Sequence, residues 1–264
     1  MRGLSHIQET FSRAKTEGRA AFMPFFTVGY PDYLTSLEAL CALAEAGADA
    51  LEVGMPFSDP LADGPVIQHA SQIALNNGIK IKDCVRAIKE LRARGVTIPL
   101  ILMGYLNPLL NYGLGRLVED AAGAGADGFI IPDLPPEEAL ELHEHTVRAD
   151  MGQIPLIAPN THPDRVKQVA QTARGFVYLV SVTGVTGARE SLPTDLRDYI
   201  QRARSQTDLP LAVGFGISTP EQAHLVATHA DGVIVASALI RLMEQKGLGA
   251  VKALAGAISA ACKR

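Results

Sequence analysis

Two textures alternate along the chain. The first is the apolar run with little polar interruption: "AAFMPFFTVG" (20–29), "IPLILMGY" (98–105), "IPLIAPN" (154–160), "FVYLVSV" (176–182) and "LPLAVGFGI" (209–217). Three further runs sit inside a repeated form, "AEAGADALEVG" (44–54), "AGAGADGFIIPD" (122–133) and "ATHADGVIVAS" (227–237), where a helix end leads through a small residue and an Asp into the apolar stretch. Apolar runs that do not alternate with polar residues fit parallel strands covered on both faces. The second texture is helical, as in "SLEALCALAEAG", "IKDCVRAIKELRARG", "PPEEALELHEHTVRA" and "TPEQAHLVATHA". At the N-terminus Leu4, Ile7, Phe11 and Ala14 recur at helical spacing, which predicts a short amphipathic helix docked on the rest.

Eight strands separated by helices within 264 residues predict an α/β fold of the (β/α)8 TIM-barrel type, with the N-terminal helix as an extra element. No change of composition and no Pro/Ser-rich linker divides the chain, so residues 1–264 are read as one domain. A doubly wound sheet is the competing architecture, but no strand–GxGxxG–helix unit opens the chain. In a barrel the chemistry belongs on the loops after the strands. Several of those loops are rich in Gly, Pro, Asn or Thr.

Composition narrows the function. The chain is 47% hydrophobic and 20% charged, with net charge −4 and no run of Lys or Arg. Nucleic acid and anionic membrane surfaces are therefore not expected as partners. No apolar stretch of about 18 residues suggests a membrane span, and the N-terminus lacks a signal peptide's apolar run. Three scattered cysteines, Cys41, Cys84 and Cys262, form neither a disulfide framework nor a zinc motif. A cytoplasmic, reducing setting is expected.

Candidate chemistry gathers at two places. After the sixth, seventh and eighth strands come "TGVTGA" (183–188), "VGFGIST" (213–219) and "VASALI" (235–240). Gly184, Gly187, Gly214 and Gly216 let the main chain approach an anion, and a helix starting at Ser237 favours negative charge. Ser237 reads equally well as an N-cap. The second place is "LEVGMPFSDPLADGP" (51–65), where Glu52 lies inside an apolar strand and Asp59 and Asp63 follow in the loop. A desolvated glutamate titrates near neutrality and suits proton transfer, whereas a more exposed Asp63 stays ionised. A buried ion pair or hydrogen bond for Glu52, and turn roles for Asp59 and Asp63, are the structural alternatives. No strand carries a lysine for Schiff-base chemistry. The histidines of "HEH" (143–145) fall on different helix faces and read as a solvated surface. His69 and His162 stand alone. No metal cluster is expected.

The chain resembles the tryptophan synthase alpha subunit family. The resemblance rests on "LEVGMPFSDPLADGPVIQ", "PFFTVGYPD" (24–32), "LMGYLNPLLNYG" (102–113), "IPDLPPEE" (131–138), "VTGVTGAR" (182–189) and "GFGIS" (214–218), which run through nearly the whole chain in the family's order. It implies a barrel that cleaves indole-3-glycerol phosphate to indole and glyceraldehyde 3-phosphate. It implies no cofactor in this chain. It also implies a beta subunit that carries pyridoxal phosphate and takes the indole onward in an alpha2-beta2 heterotetramer. The family's catalytic pair falls on Glu52 and Asp63. Its phosphate ligands fall on Gly187, Gly216, Ala236 and Ser237, with Gly214 and Phe215 beside them. Phe25, Tyr105 and Tyr178 match positions near the indole and the mouth. Ile67 and Thr186 are further matches, and Thr186 lies in a loop expected to close. Two places depart from the pattern: Ala236 stands where many members have Gly, and "APNTHPDR" (158–165) replaces a Thr/Ser-rich segment.

On this reading Glu52 protonates indole C3 and takes the hydroxyl proton from the neighbouring carbon, moving between two positions. Asp63 faces the ring N–H. The prolines stiffen the loop carrying Asp59 and Asp63. The segments around Asp59 and Pro60, Asn107 and Pro108, and Asp133 to Pro136 are expected on one rim, facing the beta subunit. The alternatives are a free-standing indole-3-glycerol phosphate lyase, another phosphosugar barrel, or a barrel that only regulates a partner.

Overall fold

The computed structural model describes residues 2–180, 196–214 and 216–264. Nine strands form one parallel sheet: β1 (Ala21–Thr27), β2 (Leu51–Gly54), β3 (Leu100–Met103), β4 (Gly128–Ile130), β5 (Gly152–Ile154), β6 (Leu156–Ile157), β7 (Val177–Val180), β8 (Leu211–Gly214) and β9 (Gly232–Val235). The order β5-β4-β3-β2-β1-β9-β8-β7-β6 brings the two ends of the sheet to consecutive pieces of chain. β5 pairs with β4 through Gly128↔Gly152, and β6 pairs with β7 through Leu156↔Tyr178. Pro155 lies between β5 and β6. Having no N–H to give, it breaks what the sequence suggests is one strand (154–160) into two short ones that begin earlier. With β5 and β6 counted as one, the eight-stranded barrel is closed, and helices surround it.

Side chains alternate in direction along each strand. One set fills the barrel interior: Ala21, Met23, Ala50, Ile101, Ile130, Ile154, Tyr178, Ala212 and Ile234 belong to one buried cluster. The other set, with Phe22, Phe26, Leu51, Val53, Leu102 and Phe129, packs beneath the helices. The N-terminal helix, Leu4–Thr16, closes the lower end. Its Ile7, Phe11 and Ala14 join the interior cluster, and Phe11 lies against Phe176 with ring centroids 5.2 Å apart.

The Ala–Asp repeat has a physical explanation at that same lower end. Asp49 N–H donates to Phe22 O at 2.8 Å, while its carboxylate accepts from Phe22 N–H at 2.9 Å. Asp127 grips Leu100 in the same way, at 2.8 Å in both directions. Asp231 grips Leu211, at 2.8 and 3.0 Å. Each aspartate thus clasps the backbone at the start of a neighbouring strand from both sides. An arginine neutralises each one: Arg19 for Asp49, Arg92 for Asp127, and Arg204 with Arg264 for Asp231. Asp127 also accepts Gly3 N–H at 2.7 Å and faces His6 Nδ1 at 3.0 Å, which moors the N-terminal helix. At Asp231, burial alone would raise the pKa, but the Leu211 N–H and Arg204 outweigh it and hold the carboxyl below its ordinary value.

The histidines of "HEH" depart from the solvated surface expected of them. His143 and His145 are both half-buried, and His143 Nδ1 lies 3.3 Å from the side-chain oxygen of Gln153. His162 is exposed and caps the helix Pro163–Thr172. Among the described residues no group of His, Cys, Asp or Glu could hold a metal ion, and no helix is long and apolar enough to cross a membrane.

Candidate active site

Glu52 is the second inward-pointing residue in the series Ala50, Glu52, Gly54, and it stands directly beside Phe25 of β1. It is 0% exposed. Among the described residues neither carboxylate oxygen has a hydrogen-bond partner, so neither structural alternative, an ion pair or a hydrogen bond to the loop, is met there. A bare carboxylate in such surroundings carries a desolvation cost of several kcal/mol. Burial accordingly pushes its pKa well above the ordinary carboxylate value, which favours the neutral acid.

Asp63 reaches the same mouth from the loop after β2. Pro60 is buried and its carbonyl accepts Asp63 N–H at 2.9 Å. Pro65 opens the helix Pro65–Asn76 as its first residue, a position where proline's missing N–H costs nothing. Tyr105, the N-cap of the helix Leu106–Tyr112 that follows β3, pins the loop: its Oη donates to Asp63 Oδ2 at 3.0 Å and accepts from Ala62 N–H at 3.1 Å. Asp63 is half-buried, more enclosed than its place in a polar loop suggests. Burial raises its pKa to about 6 against the opposing pull of the Tyr105 hydrogen bond. It remains largely ionised at neutral pH, as its proposed role requires, but by a smaller margin than an exposed aspartate.

Tyr178 completes the mouth from β7. Burial first, and then the proximity of Glu52 and Asp63, keeps its phenol protonated. Two glycines make room for the aromatic rings. A Cβ on Gly214 would lie 2.4 Å from Tyr178 Oη, and one on Gly54 would lie 2.4 Å from Phe25 Cζ. Phe57, not singled out from the sequence, stacks on Tyr105 with centroids 5.3 Å apart. Ile67 is buried on the inner side of Pro65–Asn76.

The expected phosphate loops are partly described. Gly214 ends β8, and Gly216 takes a left-handed φ of 66° that a side chain would strain. Ala236 is the N-cap of the helix Ser237–Lys246, and no side chain caps that helix. Ser237 is its first residue and buried, so the N-cap role considered for it falls to Ala236. The methyl of Ala236 sits at a half-buried position. Thr186, Gly187 and Phe215, and the loop 182–193 expected to close, lie outside the described residues.

The geometry therefore joins Glu52, Asp63, Tyr105, Tyr178, Phe25 and Gly214 around one mouth, with Ala236 and Ser237 just past the end of β9, the strand beyond β1. The family model for the tryptophan synthase alpha chain matches residues 11–262. The chain belongs to that family. It is 53% identical over 242 residues to the tryptophan synthase alpha chain of Chloroflexus aggregans, covering 92% of this chain and 91% of that one. A solved structure of Mycobacterium tuberculosis tryptophan synthase superposes with TM-score 0.93 at 36% identity over 100% of both chains. The tryptophan synthase subunit alpha of Legionella pneumophila gives 0.90 at 38% identity over 97% of this chain and 98% of that one. Membership in the family agrees with the barrel and with the order of its motifs along the chain.

Proposed function

We propose that the chain cleaves indole-3-glycerol phosphate to indole and glyceraldehyde 3-phosphate by a retro-aldol step. As a member of its family it is a lyase of tryptophan biosynthesis. The observation that carries the specific reaction is Glu52, an acid at 0% exposure with no partner among the described residues, within the mouth that Asp63 and Tyr178 share.

The reaction needs a proton delivered to indole C3 and another removed from the hydroxyl on the adjoining carbon. Glu52 starts as the neutral acid and gives its proton to C3. Ring N1 then carries positive charge, which the Asp63 carboxylate faces. The Glu52 carboxylate next takes the hydroxyl proton. The electrons of that O–H bond form the aldehyde, and those of the breaking C–C bond restore the aromatic ring. Glu52 ends as it began. Proton transfer by a positioned side chain contributes about 10²–10⁴ in rate. Phe25, Ile67, Tyr105 and Tyr178 suit an indole ring on chemical grounds, and the backbone at Gly214, Gly216, Ala236 and Ser237 suits a phosphate. Gly187, Phe215 and Thr186 are assigned to phosphate and lid by resemblance alone.

The balance of the reaction calls for no cofactor in this chain. The partner is a pyridoxal-phosphate beta subunit in an alpha2-beta2 heterotetramer, in the cytoplasm. A groove of about 370 Å³ lined by Pro56, Phe57, Lys80, Pro108, Asn111 and Tyr112 opens between the loop after β2 and the helix after β3. Leu61 and Leu110, 89% and 53% exposed, are carried by those same two segments. Pro60, expected on the rim, is buried instead and stiffens the loop from beneath.

The test is product analysis with the purified chain and indole-3-glycerol phosphate, alone and with increasing beta subunit. Equal amounts of indole and glyceraldehyde 3-phosphate, formed faster as the beta subunit is added, are expected. No indole under any condition would refute the activity. Indole release that is indifferent to the beta subunit, with no complex on sedimentation, would favour a free-standing lyase.

A further inference from the structure

Three buried side-chain oxygens lack any hydrogen-bond partner among the described residues: both of Glu52, and Oγ1 of Thr27. Thr27 is 1% exposed and is the last residue of β1. Other buried threonines meet the ordinary expectation by bonding nearby backbone. Thr10 donates to His6 O at 3.0 Å, and Thr146 to His143 O at 3.0 Å. Burying a hydroxyl without a partner is unfavourable, so a valine would serve strand and core better at position 27. An unsatisfied buried group that survives in a folded protein calls for a role.

Its position suggests what that role is. Thr27 has the same parity as Ala21, Met23 and Phe25, and so points inward. It pairs with Gly54, one inward position above Glu52 toward the mouth. Around the barrel, β1 lies between β9, which leads to Ala236 and Ser237, and β2, which carries Glu52. A substrate that holds its phosphate at the end of β9 and its reacting carbon at Glu52 must lay the carbons between them across the end of β1. Those carbons bear hydroxyls, and a hydroxyl is matched by a group that can both donate and accept.

We infer that Thr27 is a substrate-contacting residue of this site, whose hydroxyl hydrogen-bonds the polyol segment between the phosphate and the reacting carbon. The inference rests on the proposed function and adds to it the group that reads the substrate's middle.

The test compares Thr27→Val, which keeps shape and deletes the hydroxyl, with Thr27→Ser, which keeps the hydroxyl. Removing a buried hydroxyl that has no protein partner leaves the ligand-free melting temperature equal to or above wild type. The same change lowers kcat/KM for indole-3-glycerol phosphate by about 10- to 100-fold, because a substrate hydroxyl loses its partner. Thr27→Ser stays within about threefold of wild type. Indolepropanol phosphate, which retains ring and phosphate but has neither hydroxyl, binds wild type and Thr27→Val equally. Full activity in Thr27→Val would overturn the inference, and so would an equal loss of affinity for the hydroxyl-free probe. A fall in melting temperature that parallels the loss of activity would show a structural role instead. Absence of indole release by wild type would refute the proposed function as well, which separates the two failures.

Discussion

Asp63 accepts a hydrogen bond from the Tyr105 hydroxyl, and that hydroxyl is also tied to the backbone of the loop at Ala62. The groups that face this site are Glu52 and Tyr178 from the barrel interior, with Asp133 acting on Tyr105 from the loop after β4. Desolvation raises Asp63 to about 6, and the Tyr105 bond works in the opposite direction by favouring the charged form. If the ionised form is the active one, kcat/KM rises with pH through an acid limb near 6. Tyr105→Phe removes the opposing bond, so the pKa goes up and the limb moves to higher pH. The variant is then impaired more at pH 6 than at pH 8. An unmoved limb in a pH–rate profile of Tyr105→Phe would show that Asp63 is not the titrating group. Glu52 illustrates what residue-level reading of a sequence leaves undecided. An acid in an apolar strand is visible in "LEVG", but whether a partner waits across the barrel depends on residues far away in the chain, and among the described residues none does.

At the scale of the strand and its neighbours, the Asp–Arg clasps hold the lower end of the barrel. Asp127 is 0% exposed and serves Leu100, Arg92 and Gly3 together. Asp127→Ala leaves Arg92 in the interior without its counter-charge and frees the start of the N-terminal helix. A loss of about 3–5 kcal/mol in unfolding free energy is expected. Well below the melting temperature, kcat/KM should stay within about twofold of wild type, because the clasp lies at the opposite end from the chemistry. Denaturant unfolding and steady-state kinetics on one preparation check both halves. The strands themselves were legible in the sequence, since parallel strands buried on both faces are written as apolar runs. The repeated Ala–Asp was legible as a helix–turn–strand junction. Its clasp was not, because Arg92 and Gly3 lie 35 and 124 positions from Asp127. Pro155 marked a break that the apolar run around it concealed. Thr27 escaped notice for a simpler reason: a threonine closing a strand is ordinary until its hydroxyl is found without a partner.

Over the whole molecule the two ends of the barrel divide the work. The lower end is closed by Ile7 and Phe11 and clasped by paired charges, while the upper end keeps an acid and a hydroxyl that have no partner among the described residues, and glycines that leave space. That division follows the barrel's general pattern, in which the C-terminal ends of the strands carry chemistry and the other end carries stability. The exposed Leu61 and Leu110 are also carried on the upper side, on the loop that follows β2 and the helix that follows β3, where a partner would meet the product as it leaves. The central claim is that the unpartnered acid within this end moves the proton. It is tested most directly by indole release from indole-3-glycerol phosphate with wild type and Glu52→Gln at pH 8. The glutamine keeps the shape and cannot supply the proton. At that pH, moreover, the raised pKa of Glu52 makes the wild-type carboxyl a burden on folding, since such a group weakens stability as pH rises above its unfolded value. The account predicts a variant that melts no lower than wild type and releases indole at least about 10²-fold more slowly; a well-folded Glu52→Gln that releases indole at the wild-type rate would contradict it.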